Sequence, residues 1–238
     1  MEPKLFEQQL QERGILLTDQ QRAKFGVYHE LLVEWNQKVN LTAITEKEEV
    51  YEKHFFDSIS AAFFYDFTQI TTLIDIGAGA GFPSLPIKIL YPHLQITIVD
   101  SLNKRIQFLQ LLVERLELEG VTCLHGRAEE LGVNPEYRER YDAVTARAVA
   151  RLNVLTEYCL PFAKVDGVFI VLKGANALSE LDEAKQAIRV LGGKTRKVDN
   201  LRLPSEQADR NIIVVEKEKP TPKKYPRKAG TPAKKPII

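Results

Sequence analysis

Apolar positions along this chain fall into two textures. Over the first 66 residues the spacing is helical, with Phe25, Tyr28, Leu32 and Trp35 on one face. Thr18-Asp19-Gln20-Gln21 reads as a capping box ahead of that face, and Thr45-Glu46-Lys47-Glu48 as a second, opening a helix through Ile59 to about Phe64. From Thr71 short β-rich runs alternate with longer amphipathic ones. The alternation predicts strands over Thr71–Ile76, Gln95–Asp100, Thr122–His125, Tyr141–Ala146 and Gly167–Leu172. Helices fit Ser84–Leu90, Asn103–Leu118 and Ala175–Leu191, and Leu152–Pro161 fits helix or loop. Such a β/α series implies a doubly wound α/β sheet of parallel strands with helices on both faces. Thr195–Leu203 and Asn211–Lys217 have no helix between them and predict an antiparallel hairpin at one sheet edge. The expected organisation is a helical N-terminal extension (1–66), an α/β domain (67–217) and a tail (218–238).

Charge separates the tail from the rest. The net charge is only +1, yet residues 217–238 carry eight basic side chains against Glu218, while residues 1–216 hold 25 basic and 31 acidic ones. A −6 body with a +7, proline-rich tail points to an anionic partner such as nucleic acid. Two cysteines, Cys123 and Cys159, are too few for a disulfide scaffold. The polar start lacks the apolar core of a signal peptide, and no apolar run approaches the ~20 residues needed to span a bilayer.

The candidate chemistry lies in Asp75-Ile76-Gly77-Ala78-Gly79-Ala80-Gly81-Phe82-Pro83, directly between a strand and a helix. Glycines permit a tight turn and close approach of a ligand to the backbone. The dinucleotide fingerprint places a third glycine where Phe82 stands, so the loop departs from it. Phe82, Pro83 and the acid Asp75 suit a cationic ligand better than a pyrophosphate. Asp100, at the end of the next strand, can accept both hydroxyls of a ribose or cap the following helix. Arg127-Ala128-Glu129-Glu130 follows the third strand, where a loop borders an adenine edge. Glycine loop, ribose acid and adenine-side loop together describe an S-adenosylmethionine site. The fold expected is therefore a class I SAM-dependent methyltransferase, Rossmann-like, with no metal. A nucleotide-dependent oxidoreductase and a non-catalytic RNA-binding protein on the same scaffold are the alternatives.

After the fourth strand the chain reads Thr145-Ala146-Arg147-Ala148, not the Asn/Asp-Pro-Pro-aromatic motif of exocyclic amine methylation. Neither cysteine sits in the Pro-Cys setting of carbon-5 pyrimidine methylation, and both read as small buried hydrophobes. Guanine N7 needs neither device, because its lone pair is nucleophilic and carries no proton. Arg147 is the candidate guide for a guanine edge or a phosphate, or else the partner of a neighbouring carboxylate.

Several segments in order carry a family pattern: Trp35-Asn36-x-x-Val39-Asn40-Leu41-Thr42, His54-Phe55-Phe56-Asp57-Ser58, the glycine loop, Asp100–Arg105, Gly126–Glu129 and Thr145–Ala148. The chain resembles, over essentially its whole length, the glucose-inhibited division protein B family, bacterial 16S rRNA guanine-N7 methyltransferases. The resemblance implies S-adenosylmethionine contacts from Gly77, Phe82, Ala128, Glu129 and Arg147, beside Gly79 and Asp100 from the loop pattern. It also implies a guanine of the small-subunit RNA as target, in 16S rRNA or the 30S subunit, for a monomeric cytoplasmic chain working away from membranes. Ala80 stands where the family often has proline.

On the RNA side, His54 and Asp57 lie three apart on one helix face, as support for the active-site mouth, as an RNA contact or as a buried hydrogen-bonded pair. Asn40 is expected to turn or cap the loop before them, and Lys104 and Arg105 to face the cofactor side. Proline spacing predicts an extended, non-helical tail whose lysines hold RNA, leaving cofactor affinity unchanged when residues 219–238 are removed.

Overall fold

The computed structural model describes every residue except Ala148. Seven strands form one sheet in the order β3-β2-β1-β4-β5-β7-β6. They are β1 Thr72–Ile76, β2 Gln95–Asp100, β3 Val121–His125, β4 Tyr141–Arg147, β5 Ala163–Lys173, β6 Gly193–Arg202 and β7 Asp209–Lys217. β1 to β5 pair in parallel, and β6 and β7 form the antiparallel hairpin that the sequence predicts, with β7 against β5 and β6 at the edge. Strand order reverses between β1 and β4, which opens a crevice beyond their carboxyl ends.

Alternation along each strand fills two layers. Leu73, Ala143 and Ile170 join the cluster under helices Ser84–Leu90 and Asn103–Arg115, while Ile74, Val144 and Phe169 pack against Leu152–Cys159 and Ala177–Val190. The N-terminal helices share the first layer, so the extension and the sheet have one core. Phe6, Phe25, Tyr28 and Phe55, all nearly inaccessible, form its aromatic heart.

The first capping box forms as predicted: Thr18 accepts from the Gln21 N–H, and Gln21 returns the bond. The second does not. The next helix begins at Lys47 behind Glu46, with no side-chain cap, and Thr45 stays outside it. Nor is that helix regular. Lys47–Glu49 and Asp57–Ile59 are α-helical, the intervening Val50–Phe56 is a π-helix, and Ser60–Phe63 closes as 3-10.

The tail also differs from the extended, helix-free arm expected. It lies on the body and ends in a short helix, Thr231–Lys234. Proline removes backbone donors and leaves carbonyls to be satisfied from elsewhere. Arg138 supplies three such bonds, to Tyr225 O at 2.8 Å, Thr221 O at 2.7 Å and Pro222 O at 3.4 Å. The Thr221 N–H donates to Glu139 (2.6 Å), and Arg227 forks onto buried Glu157 at 2.9 and 2.5 Å. Lys217 is buried against Leu160 O and Thr221, so it belongs to the body. Lys219, Lys223, Lys224, Lys228, Lys234 and Lys235 remain exposed.

Of the loop glycines, Gly81 carries the heaviest packing constraint. Its φ is +96°, and an added Cβ would stand 2.6 Å from Leu85 Cδ1 and 2.7 Å from the Tyr28 hydroxyl. At Gly79 (φ +59°) the same atom would meet nothing within 4 Å among the described residues. Gly81→Ala is expected to cost roughly 2–4 kcal/mol of stability and Gly79→Ala only about 1–2, from left-handed strain with and without overpacking. Urea unfolding of the two variants measures the difference.

Candidate active site

Two cavities open at the carboxyl ends of the parallel strands. The first, about 310 Å³, lies beyond β1, β2 and β3 and is lined by Gly77, Asp100, Ala128 and Glu129 among others. That volume falls in the range of small-molecule pockets, ~300–1,000 Å³. The glycine loop reaches it because Gly77 adopts φ +72°, where an added Cβ would strike Val149 Cγ2 at 2.8 Å. Asp100 closes the floor, 2% exposed. Its Oδ2 accepts from the Gly79 N–H at 3.1 Å and its Oδ1 from the Leu102 N–H at 2.9 Å. Oδ2 also takes the Arg105 guanidinium at 3.4 Å, which leaves Oδ1 with the free lone pair for a ligand hydroxyl. Asp100 does not cap the helix behind it, which starts at Asn103 without a side-chain cap; its carboxylate braces the Leu102 N–H ahead of that helix and lines the cavity. Glu129 is buried, with Oε1 accepting from the Gly230 N–H.

Asp75, the acid expected to favour a cationic ligand, does not line the cavity. It is inaccessible, and its Oδ2 accepts from the Ser84 N–H at the start of the next helix (3.1 Å), while Oδ1 has no partner among the described residues. Burial pushes its carboxyl up to about 7, against the lowering pull of Ser84. A carboxyl occupying that helix start leaves no amide there for a phosphate, as the missing third glycine suggests.

The second cavity, about 470 Å³, lies beyond β4 and β5. Lys53, Arg147, Lys173 and Arg210 line it against two acids, Asp57 and Glu206. Arg147 is its centre. The guanidinium donates to Asp57 Oδ2 at 2.8 Å, Lys53 O at 3.0 Å and His54 Nδ1 at 3.2 Å, and lies 4.9 Å from the Phe82 ring centroid. Asp57 Oδ1 accepts from Arg210 Nε at 2.9 Å, so this buried carboxylate serves two arginines. Phe82 is sandwiched between the rings of Tyr28 (5.3 Å) and His54 (4.4 Å). The Tyr28 hydroxyl donates to Ala80 O, locking the loop to helix Asp19–Asn36.

The π-helix explains how Arg147 is held. In an α-helix the Asp57 N–H would bond to Lys53 O. Here it turns to Glu52 O and His54 O, and Lys53 O is left to accept from Arg147. His54 is neutral for a geometric reason: a guanidinium only donates, so Nδ1 accepts and Nε2–H donates to Thr42 Oγ1 (2.8 Å). Burial, reinforced by the Arg147 charge, lowers its pKa from 6.5 to about 3.

Of the seven expected cofactor residues, Gly77, Asp100, Ala128 and Glu129 line the first cavity and Gly79 braces its floor. Phe82 and Arg147 do not join them: Phe82 is buried in the ring stack and Arg147 opens on the second cavity. Ala148, beside Arg147 in the family pattern, lies outside the described residues. Asn36, not Asn40, holds the loop before Thr42, accepting from the Leu41 and Thr42 N–H groups. Lys104 and Arg105 line a third cavity with Lys38 and Asn40, and Arg105 also reaches Asp100 at 3.4 Å. Burial raises both cysteine pKa values, Cys123 to about 11, so neither offers a thiolate. Arg210 and Lys173 escaped the sequence reading, since neither lies in a motif.

The family described as rRNA small subunit methyltransferase G matches residues 21–213. The chain belongs to that family. A curated relative in Bacillus subtilis, ribosomal RNA small subunit methyltransferase G, is 59% identical over 228 residues, 96% of this chain and 95% of its own. The Brevibacillus brevis protein of that name is 58% identical over 233 residues, 98% of each chain. Among solved structures, the mitomycin 7-O-methyltransferase MmcR covers 79% of this chain and 60% of its own at a TM-score of 0.57 and 15% identity. TYW2 from M. jannaschii, solved in complex with AdoMet, covers 69% and 76% at 0.53 and 13%. These likenesses establish the Rossmann-like methyltransferase fold, and the family makes this chain a methyltransferase of small-subunit rRNA. No helix among the described residues is long and apolar enough to cross a membrane.

His54 gives this site a pH signature. Above pH 6.5 the imidazole is neutral in both folded and unfolded chains and contributes no slope. Between 6.5 and about 3 only the unfolded chain takes the proton, so stability falls as pH falls. The expected loss from this group is at most about 1.4 kcal/mol per pH unit. Urea unfolding from pH 6 to 4.5 should show a shallower slope in His54→Asn than in the native chain.

Proposed function

We propose that the chain methylates N7 of a guanine in 16S rRNA, with S-adenosylmethionine bound in the glycine-loop cavity. The observation that carries this reading is the pairing of two unlike cavities across the β1–β4 crevice, with Val149 bordering the first and Arg147 the second. One has glycines and a carboxylate floor, suited to a cationic sulfonium nucleoside. The other is lined by four cations, suited to a nucleotide of RNA.

The residues present fit the cofactor. Asp100, held rigid by two backbone amides and the Arg105 guanidinium, offers an Oδ1 lone pair for a ribose hydroxyl. Gly77 and Gly79 let the backbone come close, and the Ala128–Glu129 turn borders the far end. Bound there, S-adenosylmethionine supplies an electrophilic methyl group, which a ring nitrogen lone pair takes in an in-line displacement without a general base.

Arg147 is the guide for the base. Three of its five N–H groups are committed to Asp57, Lys53 O and His54, and two remain for a guanine O6 or a phosphate. The charge is fixed before RNA arrives, so its contribution is orientation of N7 toward the methyl group. The thiols have no part in this chemistry. The exposed tail lysines and Lys104 extend a positive surface toward the rest of the RNA.

The test is transfer of a labelled methyl group to 30S subunits and to naked 16S rRNA, followed by strand cleavage at N7-methylguanine. Label at any other position, or NAD binding without S-adenosylmethionine binding, rejects the reading. Gly77→Asp is expected to abolish transfer. Arg147→Ala should lower transfer about 10²-fold through misorientation while leaving the Kd for S-adenosylhomocysteine within a few-fold.

A further inference from the structure

The tail does more than rest on the body. Gly230, at φ +80°, begins its closing turn, and its N–H donates to Glu129 Oε1 at 2.9 Å. That bond sets the turn directly against the Ala128–Glu129 loop. Gly230 and Ala233 consequently line the same cavity as Gly77 and Asp100. Anchors specify this position. Arg227 bonds Glu157 through both its backbone N–H (2.8 Å) and its guanidinium, and Glu157 is a carboxylate only 1% exposed. Pro226 and Pro232 are buried on either side of that segment and the turn. A buried carboxylate left without its arginine is strongly disfavoured, so Glu157 holds the tail in place.

We propose that residues 223–238 form the outer wall of the cofactor site, covering the adenine end of the bound cofactor, so that tail docking and cofactor binding stabilise each other. The proposal rests on reading the first cavity as the S-adenosylmethionine site. Small residues at 230 and 233 leave room for a flat ring between the tail and the Ala128 loop. Because coupling between two binding events is reciprocal, bound cofactor must hold the tail down as much as the tail holds the cofactor. Relatives lacking such a tail would need another cover at this end of the cavity.

The probe is S-adenosylhomocysteine, titrated calorimetrically into the full chain and into a chain ending at Pro222, which keeps Thr221 and its bonds to Glu139 and Lys217. The shortened chain is expected to bind about tenfold more weakly or worse. Ala233→Trp, a change at an exposed position, should weaken binding as well. On the intact chain, trypsin cleavage at Lys223, Lys224 and Lys228 should slow when the probe is present, since cutting a docked segment requires it to open. Equal affinity with and without the tail, or cleavage at an unchanged rate in the saturated protein, overturns the proposal and leaves the tail an RNA arm only. Failure of the full chain to bind the probe overturns the reading of the cavity as well.

Discussion

The Arg147 guanidinium is the point at which the separate parts of the molecule meet. It leaves the end of β4, lies on Phe82 from the glycine loop, and is tied to Lys53, His54 and Asp57 of the π-containing helix. Through Asp57 it is joined to Arg210 on β7. Its charge is only partly solvated, and it is stable there because a carboxylate, a carbonyl, an imidazole nitrogen and one ring face surround it. Removing Asp57 would strand two cations at once, at a cost on the order of 3–5 kcal/mol. The helical extension, the loop and the edge hairpin are therefore held in register by electrostatics at the site itself. Burial of Phe6, Phe25 and Phe55 supplies the bulk of the adhesion behind it.

Much of this was legible in the sequence because it is local. Short β-rich runs such as Leu73–Ile76 or Ala143–Ala146, followed by helical spacing, mark the β/α series wherever they occur, and Gly77, Asp100 and Ala128 stand at or just past the ends of their strands. The hairpin was visible through the absence of a helix between two β-rich runs. What escaped is what depends on distant partners. The spacing of Val50–Phe56 is that of any apolar helix, and nothing local says that the Asp57 N–H will choose Glu52 O over Lys53 O. Thr45 has the chemistry of a cap, but the chain enters the helix at Glu46. Arg138 and Glu139 look like ordinary loop charges until the tail, over 80 residues later, arrives to use them.

The division into an acidic body and a basic tail also takes a different meaning. Part of the body's acid content, in Glu129, Glu139 and Glu157, is spent on tail backbone and on Arg227. The lysines are not consumed in this way and stay at the surface. Composition registers the two charge populations, but only the fold distinguishes the charges that seat the tail from those free to meet an anion.

The seven-residue π-helix makes the site sensitive to chain length in a way that side-chain identity does not reveal. Such a segment is an α-helix carrying surplus residue, wound wider than its neighbours. Excising one residue between Val50 and Lys53 would let it rewind, at about 100° of rotation per residue. Lys53 O would regain an intrahelical partner, and His54 and Asp57 would no longer share a face with Arg147. Every side chain around Arg147 would still be present in the sequence. Spacing within this helix is thus as much a part of the binding chemistry as the residues themselves.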